Sequence, residues 1–252
     1  MNDSLLARSL AALMLLSASR AAAATITWGT PSLINSDSNV STTGTLLYAY
    51  TVGAAGVPPA TVNGVIFSPL AVPDNTDAPV PVGSVTLAID QGNFNTYFSS
   101  NTQAGFNSGS FSALSTAYKG LLQSGVSTNM GAGTDLLTLT LGGLTNGQSY
   151  QVQFWANDSG GISAGANGTV LTAGNVVTLD NNITNTTGEV GQWVTGSFTA
   201  NALTQVVTLK SSFLGQDAPV LNAFQVRAVP EPGSAGLLVV AGVGLLLRRR
   251  RA

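Results

Sequence analysis

The sequence predicts an all-β fold, an antiparallel β-sandwich carrying one short helix. Three observations predict it. Short alternating or β-branched runs recur along the chain and are broken by Gly, Asn, Asp and Pro. The 29 glycines and abundant Asn, Ser and Thr, set against only two lysines (Lys119, Lys210), suit strands and polar turns better than helices. Hydrophobic residues make up 44% of the chain, enough to bury one substantial core.

Taken in order, strands are expected at 25–28, 44–52, 61–67, 84–90, 135–141, 149–156, 176–179, 192–199, 205–210 and 220–226. Leu137, Leu139 and Leu141 alternate with Thr138 and Thr140, as Tyr150, Val152 and Phe154 alternate with Gln151 and Gln153. Each run therefore has one dry face, and the intervening Asn146-Gly147 suits a turn, so the two read as a hairpin. Phe111, Leu114, Tyr118, Leu121 and Leu122 recur at helical spacing between Ser110 and Gly125, which predicts one helix across an end of the sandwich. The segments 53–59, 69–83 and 159–168 read as linkers, with the proline-rich 69–83 suited to a crossover between sheets.

Composition also excludes chemistry. With no Cys and no His, the chain has no disulfide, thiolate nucleophile, Cys or His zinc site, or Ser-His-Asp relay. Residues 25–228 hold three basic residues (Lys119, Lys210, Arg227) against nine acidic ones (Asp37, Asp74, Asp77, Asp90, Asp135, Asp158, Asp180, Glu189, Asp217), a net charge of −6. Nucleic acid is thereby rejected as a partner, because its phosphates require a clustered basic surface.

The remaining basic residues lie at the two ends. Residues 1–24 combine Arg8, an apolar stretch over 10–16 and a small-residue run ending Ala22-Ala23-Ala24, the pattern of a signal peptide cut by signal peptidase after Ala24. The domain is then 25–228, and 229–252 forms a tail. The tail holds Pro230-Glu231-Pro232, an uncharged stretch containing Ala235, Leu237, Leu238, Val239, Val240, Val243, Leu245, Leu246 and Leu247, and finally Arg248, Arg249, Arg250 and Arg251. This order resembles the PEP-CTERM sorting signal of bacterial exosortase systems. The resemblance implies that Pro230, Glu231 and Pro232 are read by an exosortase-type membrane enzyme that removes the membrane helix and its cytoplasmic arginine anchor. The apolar stretch is shorter than the ~20 residues that span a bilayer comfortably, while the arginines favour the cytoplasmic side. Both ends predict export to the cell envelope, membrane-anchored before processing and then at the cell surface or extracellular.

Within the domain, the stretch Gly143 to Trp155 is similar to a hairpin of galactose-binding-like jelly rolls. Sugar binding through exposed aromatics and amides would draw on Trp155, Asn157 and Asp158, or on Trp193 beside Gln192. Trp155 shares a face with Gln151 and Gln153, opposite Tyr150 and Phe154, and is expected to point outward. Asp74, Asn75 and Asp77 supply hard oxygens for a calcium ion, as do Asp37, Ser38 and Asn39, though no complete calcium loop with a closing Glu is present. No other cofactor is expected. Paired carboxylates for glycoside hydrolysis find little support, since the domain has one Glu and its Asp residues sit in turn sequences. The expected role is structural or adhesive and non-enzymatic, with extracellular polysaccharide as a candidate partner.

Overall fold

The computed structural model describes residues 23–90, 92–98, 108–128, 136–160, 168–212 and 218–230. They form a β-sandwich. One sheet has eight strands: β1 (Thr27–Trp28), β2 (Ser32–Leu33), β3 (Thr45–Gly53), β4 (Ala60–Val62), β5 (Val65–Ala71), β11 (Ser149–Ala156), β14 (Gln192–Thr199) and β16 (Ala223–Ala228). Their spatial order is β1-β14-β11-β16-β3-β5-β4, with β2 also on β14. The facing sheet runs β13 (Asn175–Asp180), β12 (Gly168–Ala173), β15 (Gln205–Ser211), β10 (Leu136–Leu141), β7 (Val85–Ile89) and β6 (Val80–Val82). A small pair joins β8 (Phe94–Phe98) to β9 (Ser124–Thr128). Pairing is antiparallel throughout these ladders except between β3 and β5, which are parallel.

The alternation read from the sequence fixes which side chains enter the core. Tyr150, Val152, Phe154 and Ala156 of β11 meet Leu137, Leu139 and Leu141 of β10 between the sheets. Phe154 stacks on Phe224 at 6.1 Å and receives the edge of Trp28 at 5.8 Å. Fully burying side chains of this kind contributes about 1.5–3 kcal/mol each, which lets a chain without cysteine hold together through its core. Loop 69–83 leaves the eight-stranded sheet after β5 and enters the other at β6, the crossover its prolines suggested.

The expected hairpin of 135–141 and 149–156 is corrected. β10 pairs with β7 and β15, whereas β11 pairs with β14 and β16, so the loop between them arches from one sheet to the other. Gly147 does adopt positive φ (82°), but alternation specifies a strand's dry face and not its neighbour. The expected single strand 61–67 is instead the hairpin β4–β5. Its turn residues Asn63 and Gly64 have φ of 48° and 74°, the left-handed pair that a tight type I′ turn requires.

A third layer covers the outer face of the eight-stranded sheet. The predicted helix splits into α1 (Gly109–Ser112) and α2 (Thr116–Leu122), because Ser115 accepts the Tyr118 N–H at 3.0 Å and caps a new helix start. Phe111, Leu114, Tyr118, Leu121 and Leu122 are all buried, as their helical spacing predicts. They lie on the sheet face and not across an end of the sandwich, packing with Phe67 and Trp155 in a second apolar cluster.

Beside this cluster the same face buries a polar row. Gln153 Nε2 donates to Asn39 O (2.6 Å), and Gln225 Nε2 donates to Ser41 O (3.0 Å). Arg227, 7% exposed, gives Nε to Thr43 O, one terminal nitrogen to Thr42 O and Gly44 O, and the other to Gln225 Oε1. Carbonyl dipoles thus hold this guanidinium, and desolvation lowers its pKa. The segment 39–44 is strapped across the sheet by these bonds.

Candidate functional site

Three loops meet where β11 ends and β14 begins. Asn157 follows β11 and is 1% exposed. Its backbone N–H donates to Asn222 Oδ1 (2.6 Å), its Oδ1 accepts the Gly191 N–H (2.9 Å), and its Nδ2 donates to Ser159 Oγ (3.2 Å). Asn182, also buried, donates to the carbonyls of Asp158 (2.8 Å) and Thr186 (2.9 Å). Thr169 Oγ1 donates to Asn181 Oδ1 at 2.9 Å. Short amides substitute here for a regular ladder, because loop backbone has no strand partner and buried polar groups must be paired.

Against this network opens a cleft of about 500 Å³, lined by Gly168, Thr178, Asp180, Asn185, Gln192 and Ser212. Asp180 and Gln192 come from strands in opposite sheets and touch directly. The Asp180 N–H donates to Gln192 Oε1 at 2.8 Å, and Asp180 Oδ1 accepts the Asn182 N–H at 3.0 Å. At its other end the open edge of β13 is closed by Trp28, whose Nε1 donates to Asn175 O (3.2 Å). Side chains thus cover both ends of an edge that would otherwise invite strand addition.

Only part of the expected sugar site lies at the surface. The outward reading of Trp155 is corrected: it is 0% exposed, meets Phe67 edge-on at 5.6 Å and donates its Nε1–H to Tyr118 Oη at 2.9 Å. Its strand parity is as predicted, but the helical layer covers that face. Asn157 is structural, by the bonds above. Trp193 is half-buried against the same apolar cluster, with Nε1 donating to Leu33 O at 3.1 Å.

Asp158 is the expected residue that stays near solvent. Its Oδ1 accepts the Gly160 N–H at 2.9 Å, while burial raises its carboxyl above the usual carboxylate range. A raised folded-state pKa means that this group favours folding below its unfolded pKa and loses that contribution as pH rises through the folded value. Asp158→Asn retains an oxygen for Gly160 and removes the titration. The variant should be more stable than the parent at pH 7 and should show a flatter stability profile. Thermal melts between about pH 4 and pH 8 check this.

The candidate calcium ligands are engaged in holding a turn. Asp74 Oδ1 accepts from the Thr96 N–H (2.9 Å) and Oγ1 (3.3 Å), and Oδ2 accepts from Asn75 Nδ2 (2.8 Å). Asp77 is exposed, and Asp37 Oδ1 accepts from Ser115 Oγ at 2.6 Å. Among the described residues, no three His, Cys, Asp or Glu side chains group to hold a metal ion.

Ala24 and Pro230 are described, and they frame the opposite pole. Thr25, Thr27, Ser149, Thr199, Val229 and Pro230 line a second hollow of about 440 Å³. There the Val229 N–H donates to Ser149 O (2.9 Å) and Gln148 Nε2 donates to Val229 O (2.9 Å). Ala22, Glu231, Pro232, the apolar residues Ala235 to Leu247 and Arg248 to Arg251 lie outside the described residues. Among the described residues, no helix is long and apolar enough to cross a membrane.

The sequence offered Gln192 as the amide beside Trp193 in an alternative sugar site and Asp180 as a turn residue, without bringing the two together. The usable signal was Asp180-Asn181-Asn182 directly after a strand, where short polar side chains build a rim.

No family model and no curated protein matches the chain. Among solved structures, it is similar to the ANX1 ectodomain from Arabidopsis thaliana, with 9% identity and a TM-score of 0.43 over 73% of this chain and 42% of that one. The chain therefore spans less than half the length of that ectodomain.

Proposed function

We propose that this chain is an exported, non-enzymatic β-sandwich delivered to the cell envelope through its C-terminal segment, where it has a structural or adhesive role. The resemblance of residues 229–252 to an exosortase sorting signal and of residues 1–24 to a signal peptide motivates the reading. Its main support in the fold is polarity. Thr25 and Pro230 line one hollow, so both chain ends leave from one pole, while the Asp180–Gln192 cleft lies at the other. β14 runs from Gln192 to Thr199 between the two poles, which separates them by about 23 Å at ~3.3 Å per residue. A body tethered at Pro230 presents its cleft away from the tether.

Gln148 clamps the chain at Val229, the last strand's exit toward Pro230, and a Pro-Glu-Pro sequence disfavours helix, which suits a segment read by a processing enzyme. Signal peptidase and an exosortase-type membrane enzyme are the processing partners, and the membrane is engaged through the C-terminal helix until it is removed. The test is fractionation of cells followed by intact-mass measurement. The exported protein should begin at Thr25 and lack Arg248 to Arg251. Deleting residues 234–252 should change the final location and leave the thermal midpoint unchanged. Full-length, unprocessed chain dissolved in the cytosol would overturn the proposal.

A further inference from the structure

We infer that the Asp180–Gln192 cleft binds a neutral glycan by gripping a vicinal diol of one sugar ring. The inference gives the adhesive role a ligand and rests on that reading for its biological use. Its geometry stands independently of where the protein is displayed.

Two hydrogen bonds orient the polar groups of the cleft. Because Gln192 Oε1 accepts the Asp180 N–H (2.8 Å), the amide is oriented and its Nε2 is left as a donor toward the cleft that Gln192 lines. Because Asp180 Oδ1 accepts the Asn182 N–H (3.0 Å), the carboxylate is also oriented, leaving Oδ2 as an acceptor. A fixed acceptor therefore sits beside a fixed donor. Adjacent sugar hydroxyls are the matching group, since one donates to the carboxylate while its neighbour accepts from the amide.

The supporting shell is rigid. Asn181 and Asn182 are 1% and 0% exposed and bonded to Thr169, Asp158 and Thr186, so the strand end carrying Asp180 does not need ordering on binding. Thr178 adds a further hydroxyl on the cleft wall.

The described residues favour one ligand class. Among those lining the cleft, Leu179 is the one apolar side chain and is 1% exposed, and the others offer hydrogen-bonding groups or, at Gly168, bare backbone. The cleft's carboxylate, in a domain of net charge −6 over 25–228, disfavours polyanionic glycans. Recognition by hydrogen bonds without stacking gives weak sites, with dissociation constants on the order of millimolar. Many copies on one surface would convert such sites into useful adhesion.

The test uses the full-length chain in a detergent without sugar headgroups, with dextran, galactan and mannan as neutral probes and alginate as the anionic one. Binding to at least one neutral polysaccharide is expected, with alginate weaker. Periodate oxidation of the bound polysaccharide, which destroys vicinal diols, should abolish binding to the unaltered protein. Asp180→Asn keeps an oxygen for the Asn182 N–H and replaces the free acceptor by a donor. Gln192→Glu keeps an oxygen for the Asp180 N–H and replaces the free donor by an acceptor. Each single variant should bind at least about tenfold more weakly, and the double variant, which restores one donor and one acceptor with their positions exchanged, should recover much of that loss. Failure of the unaltered protein to bind any neutral probe, or undiminished binding after periodate, would overturn the inference. So would a double variant no better than the singles. Envelope delivery is read by the mass and location of the exported chain, so failure here leaves the proposed sorting intact.

Discussion

Trp155→Ala should lower the unfolding free energy by about 3–5 kcal/mol. Trp155 fills the space between Phe67 and Tyr118 under the helical layer and is completely buried. Truncation leaves a cavity and removes the donor to the Tyr118 hydroxyl oxygen, whose own O–H keeps Asn39 Oδ1 as acceptor at 3.4 Å and whose pKa burial already pushes upward. Trp155→Phe should cost less, since it keeps an aromatic ring against Phe67 and loses mainly the Nε1–H bond. Denaturant unfolding of the three proteins measures both costs. A glycan-binding assay on the same samples separates scaffold from ligand contact, because Trp155 is not among the described residues that line the Asp180–Gln192 cleft. Folded Trp155→Ala protein should therefore bind as the parent does. Wild-type stability in this variant would show that the ring faces solvent after all.

That reversal shows what a linear pattern contains. The period-two alternation correctly put Trp155 on the face opposite Phe154, and the boundaries of β11 and β14 follow the residues that carry it. Whether a face is wet depends on a distant segment, and here α1, α2 and the β4–β5 hairpin cover it. The same limit explains β10 and β11. Their turn chemistry and dry faces were readable, but a loop of Gly142 to Gln148 can either reverse a chain within one sheet or carry it to the next. The Asn63-Gly64 turn was legible as turn chemistry, because both residues tolerate positive φ, and it was hidden inside one continuous run of apparent strand. The cleft was hardest to see. Asp180 and Gln192 meet because β13 and β14 are neighbours across the two sheets, and nothing in the intervening residues marks that contact.

The buried amides are the counterpart of these missed contacts. A chain with no cysteine and few charges has to pair its loop backbone with something, and Asn side chains do so at low side-chain entropy cost. Gln153, Gln225 and Arg227 hold the strap on one face, and Asn157, Asn181, Asn182 and Asn222 hold the rim beneath the cleft. Hydrogen bonding thus extends the reach of the apolar core to loops that have little apolar surface of their own.

Asn222 gives the sharpest test of that scheme. It is 0% exposed, accepts the Asn157 N–H at 2.6 Å, and donates to Leu122 O (3.2 Å) and Ser124 O (2.8 Å). One side chain therefore ties the end of β11 to the last turn of α2 and the start of β9. Asn222→Ala leaves these buried groups without their partner and should cost about 3–5 kcal/mol, with little dependence on pH. Asn222→Asp keeps the volume and the acceptor but exchanges the two donated protons for at most one. Its carboxyl, buried and facing two carbonyl oxygens, would have a folded-state pKa raised above the unfolded value of ~3.9. Its contribution to folding is then fully present below that unfolded pKa and is lost as pH rises through the folded one. The Asp variant should be more stable than the Ala variant near pH 4 and should lose that advantage by pH 7, where the ionised form is buried beside carbonyl dipoles. Chemical unfolding of both variants across that range measures the difference. Parallel pH profiles for the two would mean that water reaches Asn222 and that the amide does not bear the load assigned to it.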